Sequence, residues 1–253
     1  MPTALITGAS AGLGAEFARQ LARRGSDLVL VARSTEALQG LASEIRESHG
    51  VAVEVLTADL TDAADLARVE AVLADPSDPI DLLINNAGFG LPRSFDTNPV
   101  EVEVGHLRLH VEAPLRLMHA ALPVMRRRGG RIINVASVAA FVPRSTYAAC
   151  KGWLVSFSRW ANVEYRSDNV TVTALCPGFT RTSFHENMGY EPGDEGVPRA
   201  MWLDAARVVR EGLSDAARGK AVSVPSLRYK IAVAATRIIP PALLAGRARR
   251  GRF

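Results

Sequence analysis

Short apolar runs alternate along the chain with longer stretches whose apolar residues recur at helical spacing. Ala4-Leu5-Ile6 is the first run, and Phe17, Ala18, Leu21 and Ala22 then follow at the intervals of one helix face. The step repeats. Asp27 to Arg33 reads as a buried strand, and Ser34 caps a helix reaching about His49; Val51 to Thr57 is a strand, and Thr61 or Asp62 caps the next helix. Ile80 to Ile84 precedes a long helical region from about Pro99 to Arg128, carried by Val104, Leu107, Val111, Leu115 and Met118, with a kink expected at Pro114. Arg131 to Ala136 is a strand. Tyr147 opens a helix that buries Trp153, Leu154, Phe157 and Trp160 and stops near Ser167-Asp168-Asn169. Val170 to Leu175, a helix near Leu203 to Ala216 and a last strand from Lys220 to Val224 complete the series. Repeated βα steps predict an α/β fold: a doubly wound sheet of about seven parallel strands with helices on both faces.

The first strand runs into Gly8-Ala9-Ser10-Ala11-Gly12-Leu13-Gly14 just before a helix. Glycines there permit positive φ, let backbone approach a pyrophosphate and allow the helix to pack closely on its strand. The free amides and positive dipole end of that helix suit an anion, which makes the turn a nucleotide cradle and the sheet Rossmann-like. Arg33, at the end of the second strand, can pair a 2′-phosphate where an NAD site usually carries a carboxylate, so NADP(H) is expected over NAD(H). Asp59-Leu60 stands just past the third strand, where open α/β sheets bind ligands; Asp59 either meets an adenine amine or holds a turn. Asn85-Asn86-Ala87-Gly88 ends the fourth strand, with one amide able to brace neighbouring backbone and the small residues leaving space beside a ligand.

The length of 253 residues suits one domain over 1–253, and 48% hydrophobic with 22% charged residues is ordinary globular composition. The net charge of +4 is modest, and Arg247, Arg249, Arg250 and Arg252 concentrate much of it in a basic tail, 246–253. That tail reads as solvated or as a peripheral contact with acidic lipid, and nucleic acid is not expected. Cys150 and Cys176 make no disulfide scaffold. Met1-Pro2-Thr3 enters the first strand directly, without a signal-peptide pattern, so a cytoplasmic protein is expected. Ile231 to Ala245 is broken by Arg237 and Pro240-Pro241, short of the roughly 20 apolar residues of a transmembrane span.

These residues resemble the short-chain dehydrogenase/reductase family. Thr7-Gly8-Ala9-Ser10-Ala11-Gly12-Leu13-Gly14 matches its Thr-Gly-x-x-x-Gly-x-Gly motif, Asn85-Asn86-Ala87-Gly88 its Asn-Asn-Ala-Gly motif, and Tyr147-Ala148-Ala149-Cys150-Lys151 its Tyr-x-x-x-Lys motif. Ser137 and Pro177-Gly178 fall in the expected order, and the likeness runs from residue 3 to about 224. It implies an oxidoreductase with Ser137, Tyr147 and Lys151 as catalytic residues. Tyr147 and Lys151, four apart on a helix, share a face, and a nearby ammonium would pull the phenol's pKa down from about 10. Tyr147 then trades a proton with a carbonyl or alcohol oxygen while the nicotinamide trades hydride with the carbon. Tyr147 and Lys151 also count as cofactor contacts by that resemblance, beside Gly8, Ser10, Gly12, Leu13, Gly14, Arg33, Asp59, Leu60, Asn86, Ala87, Gly88, Pro177, Gly178, Thr180 and Thr182.

Two departures accompany the resemblance. His110 stands where members carry a relay asparagine, and imidazole is bulkier and can charge near pH 6.5. Ser137 lies closer in sequence to Tyr147 than in most members, which narrows one side of the site. The stretch 179–202 resembles the family's variable substrate lid. Phe179, Phe184, Met188, Tyr190 and Trp202, with Phe89, Phe95, Phe141 and Val142, predict an apolar cavity for a hydrophobic ketone, aldehyde or secondary alcohol. His185 has no partners at metal-ligand spacing, and no metal is expected. Beyond Pro225, an apolar face on Ile231, Ala234 and Ile238 would close the lid, join subunits or touch a membrane surface. A homodimer or homotetramer follows from the resemblance alone. The competing function is a redox sensor or interaction protein that binds NADP without hydride transfer.

Overall fold

The computed structural model describes residues 1–91, 94–142, 145–182, 198–236 and 238. Seven strands, β1 (Thr3–Thr7), β2 (Asp27–Ala32), β3 (Val53–Thr57), β4 (Leu82–Asn85), β5 (Gly130–Val135), β6 (Val170–Leu175) and β7 (Val222–Ser223), form one parallel sheet. Their order is β3-β2-β1-β4-β5-β6-β7, so the chain winds outward from β1 and then crosses to build the other half. The crevice between β1 and β4 is therefore the switch point, where open α/β sheets place their ligands.

Alternate strand residues serve opposite faces. Ala4, Ile6, Leu28 and Leu30 join one core with Phe17 of α1 (Gly12–Ala22), Leu38 and Ile45 of α2 (Thr35–His49) and Val209 of α7 (Ala205–Ala217). Leu5, Val29 and Val31 join the other with Leu66 and Val69 of α3 (Ala63–Ala74) and Leu117 and Met118 of α5 (Ala113–Arg128). Ser34 caps α2, accepting from the Ala37 amide at 3.4 Å, and Asp62 rather than Thr61 caps α3, accepting from Ala64 and Asp65.

The long fourth helical region departs from its predicted stripe. It divides into α4 (Val100–Leu107), a π-helical turn at Arg108–Glu112, and α5. Pro114 lacks an amide hydrogen and its ring crowds the carbonyl four residues back, and the chain meets that with the wider turn instead of a plain kink. Leu107 and Leu115 are exposed, while His106, His110, Ala113 and Leu117 face inward. In α6 (Thr146–Glu164), capped by Ser145, Leu154 is buried as expected, but Trp160 is 51% exposed, in a row of ring contacts that runs from Trp153 through Phe157 and Trp160 to Tyr165. α8 (Leu227–Thr236) buries Tyr229 and Val233 and leaves Ile231 and Ala234 exposed, as is Ile238 just beyond it, so the apolar face read in the sequence lies outward. The basic tail 246–253 lies outside the described residues. No described helix is long and apolar enough to cross a membrane.

Candidate active site

A cavity of about 700 Å³ opens at the C-terminal ends of β1 through β6. At its glycine-rich end, Gly8 and Gly12 adopt φ of 65° and 56°, which glycine takes without strain. A Cβ on Gly8 would stand 2.8 Å from Ala87 Cα, so the β1 turn and the β4 end meet backbone to backbone. Thr7 and Asn86 close that junction. The Thr7 hydroxyl accepts from the Asn86 and Ala87 amides, at 3.0 and 3.1 Å, and donates to Ile84 O; Asn86 Nδ2 donates to the Thr7 and Gly8 carbonyls, each at 3.0 Å. Helix α1 starts beyond this turn with no acidic residue in its first turn, so its leading amides present an unopposed positive end to the cavity. A cradle built this way fits a pyrophosphate.

Gly8, Ser10, Gly12, Leu13, Arg33, Asp59 and Leu60 line one part of the cavity. Asn86, Ala87, Gly88, Pro177, Gly178, Thr180 and Thr182 line another. Gly14 does not line it: a Cβ there would lie 2.1 Å from Gly8 O, so this glycine serves the packing of α1 on the turn. Asp59 holds its own turn, accepting from the Thr61 amide at 2.9 Å and hydroxyl at 2.7 Å. Arg33 is exposed at the rim and makes no ion pair among the described residues.

Ser137, Tyr147, Lys151 and His110 gather at the other end. Ser137 accepts from the Ala139 amide at 3.1 Å, opening a short 3₁₀ turn, and its hydroxyl also hydrogen-bonds Tyr147. The short Ser137-to-Tyr147 connection therefore leaves the two side chains together. Lys151, 4% exposed, donates through Nζ to Val135 O at 2.7 Å and lies 5.6 Å from the Tyr147 ring centre. Burial lowers the Lys151 pKa to about 8. The Tyr147 phenol moves opposite to the sequence expectation: burial pushes it up to about 12, with the Ser137 hydrogen bond opposing. Desolvation outweighs the pull that a neighbouring ammonium was expected to exert.

His110 is 1% exposed, and Nε2 lies 2.8 Å from Phe89 O. The Phe89 amide also reaches Nε2, at 3.2 Å, so this nitrogen donates to the carbonyl in one tautomer and accepts from the amide in the other, while Nδ1 has no hydrogen-bond partner among the described residues. Burial first, then the charge on Lys151, holds its pKa well below 6.5, so it stays neutral where the sequence suggested a group that charges near that pH. His106, one turn earlier, packs against it with ring centres 4.3 Å apart, and its pKa is lowered to about 4, chiefly by burial. This pair went unread in the sequence, although a four-residue spacing of histidines was its signal. Gly88 makes room for it: a Cβ there would meet His110 Cε1 at 2.5 Å.

Of the expected apolar wall, Phe89 lines the cavity, joined by Leu109. Phe95 is 69% exposed, Phe179 and Trp202 contact each other at 5.7 Å, and none of these three lines it, nor do Phe141 and Val142. Phe184, His185, Met188 and Tyr190 lie outside the described residues. Among the described residues, no group of three or more His, Cys, Asp or Glu side chains could hold a metal ion.

A family model described as short chain dehydrogenase matches residues 2–192. The chain belongs to the short-chain dehydrogenase family. It is an oxidoreductase of the class that uses a nicotinamide cofactor and acts on CH–OH and C=O groups. Among solved structures, it is similar to a short-chain dehydrogenase from Sphingobium yanoikuyae in complex with NADPH, at 37% identity over 94% of each chain with a TM-score of 0.85. It is also similar to the bulky-bulky ketone specific alcohol dehydrogenase from Comamonas testosteroni, at 34% identity over 94% of this chain and 92% of that one, TM-score 0.81. A very-long-chain 3-oxoacyl-CoA reductase from Laccaria bicolor is 35% identical over 68% of this chain, which spans about half of that relative, 53%.

Proposed function

We propose that this short-chain dehydrogenase reduces apolar ketones or aldehydes, or oxidises the matching secondary alcohols, with NADP(H) and with Tyr147 as general acid and base. The observation that carries the reading is the meeting of Tyr147, Ser137 and Lys151 at one end of a cavity whose other end is a phosphate cradle. The nicotinamide cofactor, when bound, supplies or accepts the hydride. Gly8, Ser10, Gly12, Leu13, Asn86, Ala87, Gly88, Pro177, Gly178, Thr180 and Thr182 would hold its phosphates, ribose and amide, and Asp59 and Leu60 its adenine side.

In the reducing direction, Tyr147 gives its phenolic proton to the carbonyl oxygen as that oxygen gains negative charge. A pKa near 12 keeps the phenol protonated until then, and an alkoxide is the stronger base. Ser137 shares a hydrogen bond with the phenol and orients the same oxygen. The Lys151 ammonium, 5.6 Å from the ring centre, stabilises the phenolate that remains. Phe89 and Leu109 give the reacting end an apolar wall, which fits a hydrophobic substrate. Arg33, exposed beside Ser34 at the adenosine end, supports a 2′-phosphate, and the NADPH-bound relative agrees in kind.

The test is the decay of reduced-nicotinamide absorbance with a panel of bulky apolar ketones, using NADPH and NADH in parallel, for the wild type and Arg33→Ala. Consumption that prefers NADPH, with the preference lost in Arg33→Ala, is expected. Equal losses with both nucleotides would refute the phosphate role, and tight nucleotide binding without turnover on any carbonyl or alcohol would favour a non-catalytic sensor.

A further inference from the structure

Past Gly178, Thr180 and Thr182 still line the cavity. The described segments on either side of residues 183–197 run side by side. Thr180 pairs with Leu203 as a parallel bridge, the Leu203 amide donates to Phe179 O at 2.7 Å, and the Arg181 amide donates to Leu203 O at 3.0 Å. A side chain from α8 spans both segments. The Tyr229 hydroxyl on α8 accepts from the Phe179 amide at 3.0 Å and donates to Met201 O at 2.8 Å. Its ring lies flush on Gly178, where a Cβ would stand 2.0 Å from Cζ.

Tyr229 is itself fixed. It is 4% exposed, and α8 starts from Ser226, whose left-handed φ of 73° is held by a hydrogen bond from its amide to Glu211 of α7 at 3.1 Å. The Arg228 guanidinium adds a bond to Ala200 O beside it. Helix α8 thus ties a loop that lines the cavity to the body of the fold, although it lies beyond the residues that define the family match.

We propose that Tyr229 is a positioning residue of the active site: by joining Phe179 to Met201 over Gly178, it sets the cavity wall formed by Gly178 and Thr180. Both of those residues line the cavity, and Thr180, 5% exposed, is further held by its hydroxyl donating to Gly178 O at 2.9 Å. Tyr229 touches no reacting atom; its effect passes through this wall, so it acts on how tightly the nucleotide and substrate are held. The proposal rests on the reading of the cavity as a nicotinamide site.

Tyr229→Phe is the test, because it keeps the ring over Gly178 and removes only the hydroxyl bridge. NADPH binding is followed by nucleotide fluorescence, and KM and kcat are measured beside it, with circular dichroism as the check on folding. A rise of about fivefold in Kd and KM is expected, the order of one net hydrogen bond, with kcat unchanged. Unchanged Kd and KM, or a loss confined to kcat, overturns the proposal even if the melting temperature falls. A wild-type chain that binds no nicotinamide nucleotide overturns the parent reading, and this one with it; a wild type that binds while Tyr229→Phe binds equally well overturns this one alone.

Discussion

Gly88 occupies a position where even a methyl group has nowhere to go, since its Cβ would lie 2.5 Å from a ring atom of His110. That ring cannot swing away: it is 1% exposed, held at the Phe89 backbone and packed against His106. Gly88→Ala is therefore an overpacking change in a rigid setting, expected to cost about 1–3 kcal/mol. Urea denaturation measures it, and an unchanged midpoint would show that the imidazole has freedom the packing denies. The Asn-Asn-Ala-Gly pattern suggested that the small residue leaves room for a ligand. In the structure Gly88 lines the cavity and also leaves room for a histidine. The neighbouring Asn86 was legible as a brace, because two consecutive amides at a strand end exceed the needs of a turn, and its Nδ2 does hold the Thr7 and Gly8 carbonyls.

Among the elements, strands and helix starts were the legible part, because alternation and capping are local. Ser34 and Asp62 cap the helices that their positions predict. The helix through His106 and His110 was misread for a physical reason: its buried face carries two imidazoles, so the apolar residues Leu107 and Leu115, which set the apparent stripe, face outward. Tyr229 was hidden likewise, since its partners Phe179 and Met201 are 50 and 28 positions away in sequence. The histidine pair has a consequence for stability. Both folded pKa values lie below the ordinary value of 6.5, His106 at about 4, so the unfolded chain binds more protons between about pH 6.5 and 4. The stability from these two groups is present above pH 6.5 and is lost as the pH falls through that window. Melting curves should show a decline between pH 7 and 5 that His106→Gln lessens; parallel pH profiles for the two proteins would contradict it.

At the scale of the molecule, the strand order makes one crevice between β1 and β4, and the residues of every recognised motif converge there from β1, β4, β5, α6 and the turn after β6. Residues as distant in sequence as Gly8 and Thr180 share one cavity because the sheet reverses its winding at that point. The family match and the solved relatives make the chain an oxidoreductase, and the proposal that Tyr147 carries the proton is the account's central claim. The direct measurement is steady-state turnover of Tyr147→Phe on the best apolar ketone, with NADPH binding titrated on the same samples. A fall in kcat of about 10²- to 10⁴-fold with nucleotide affinity kept is the predicted result, the range that a positioned acid contributes. Turnover close to wild type would contradict it and move the proton to another group.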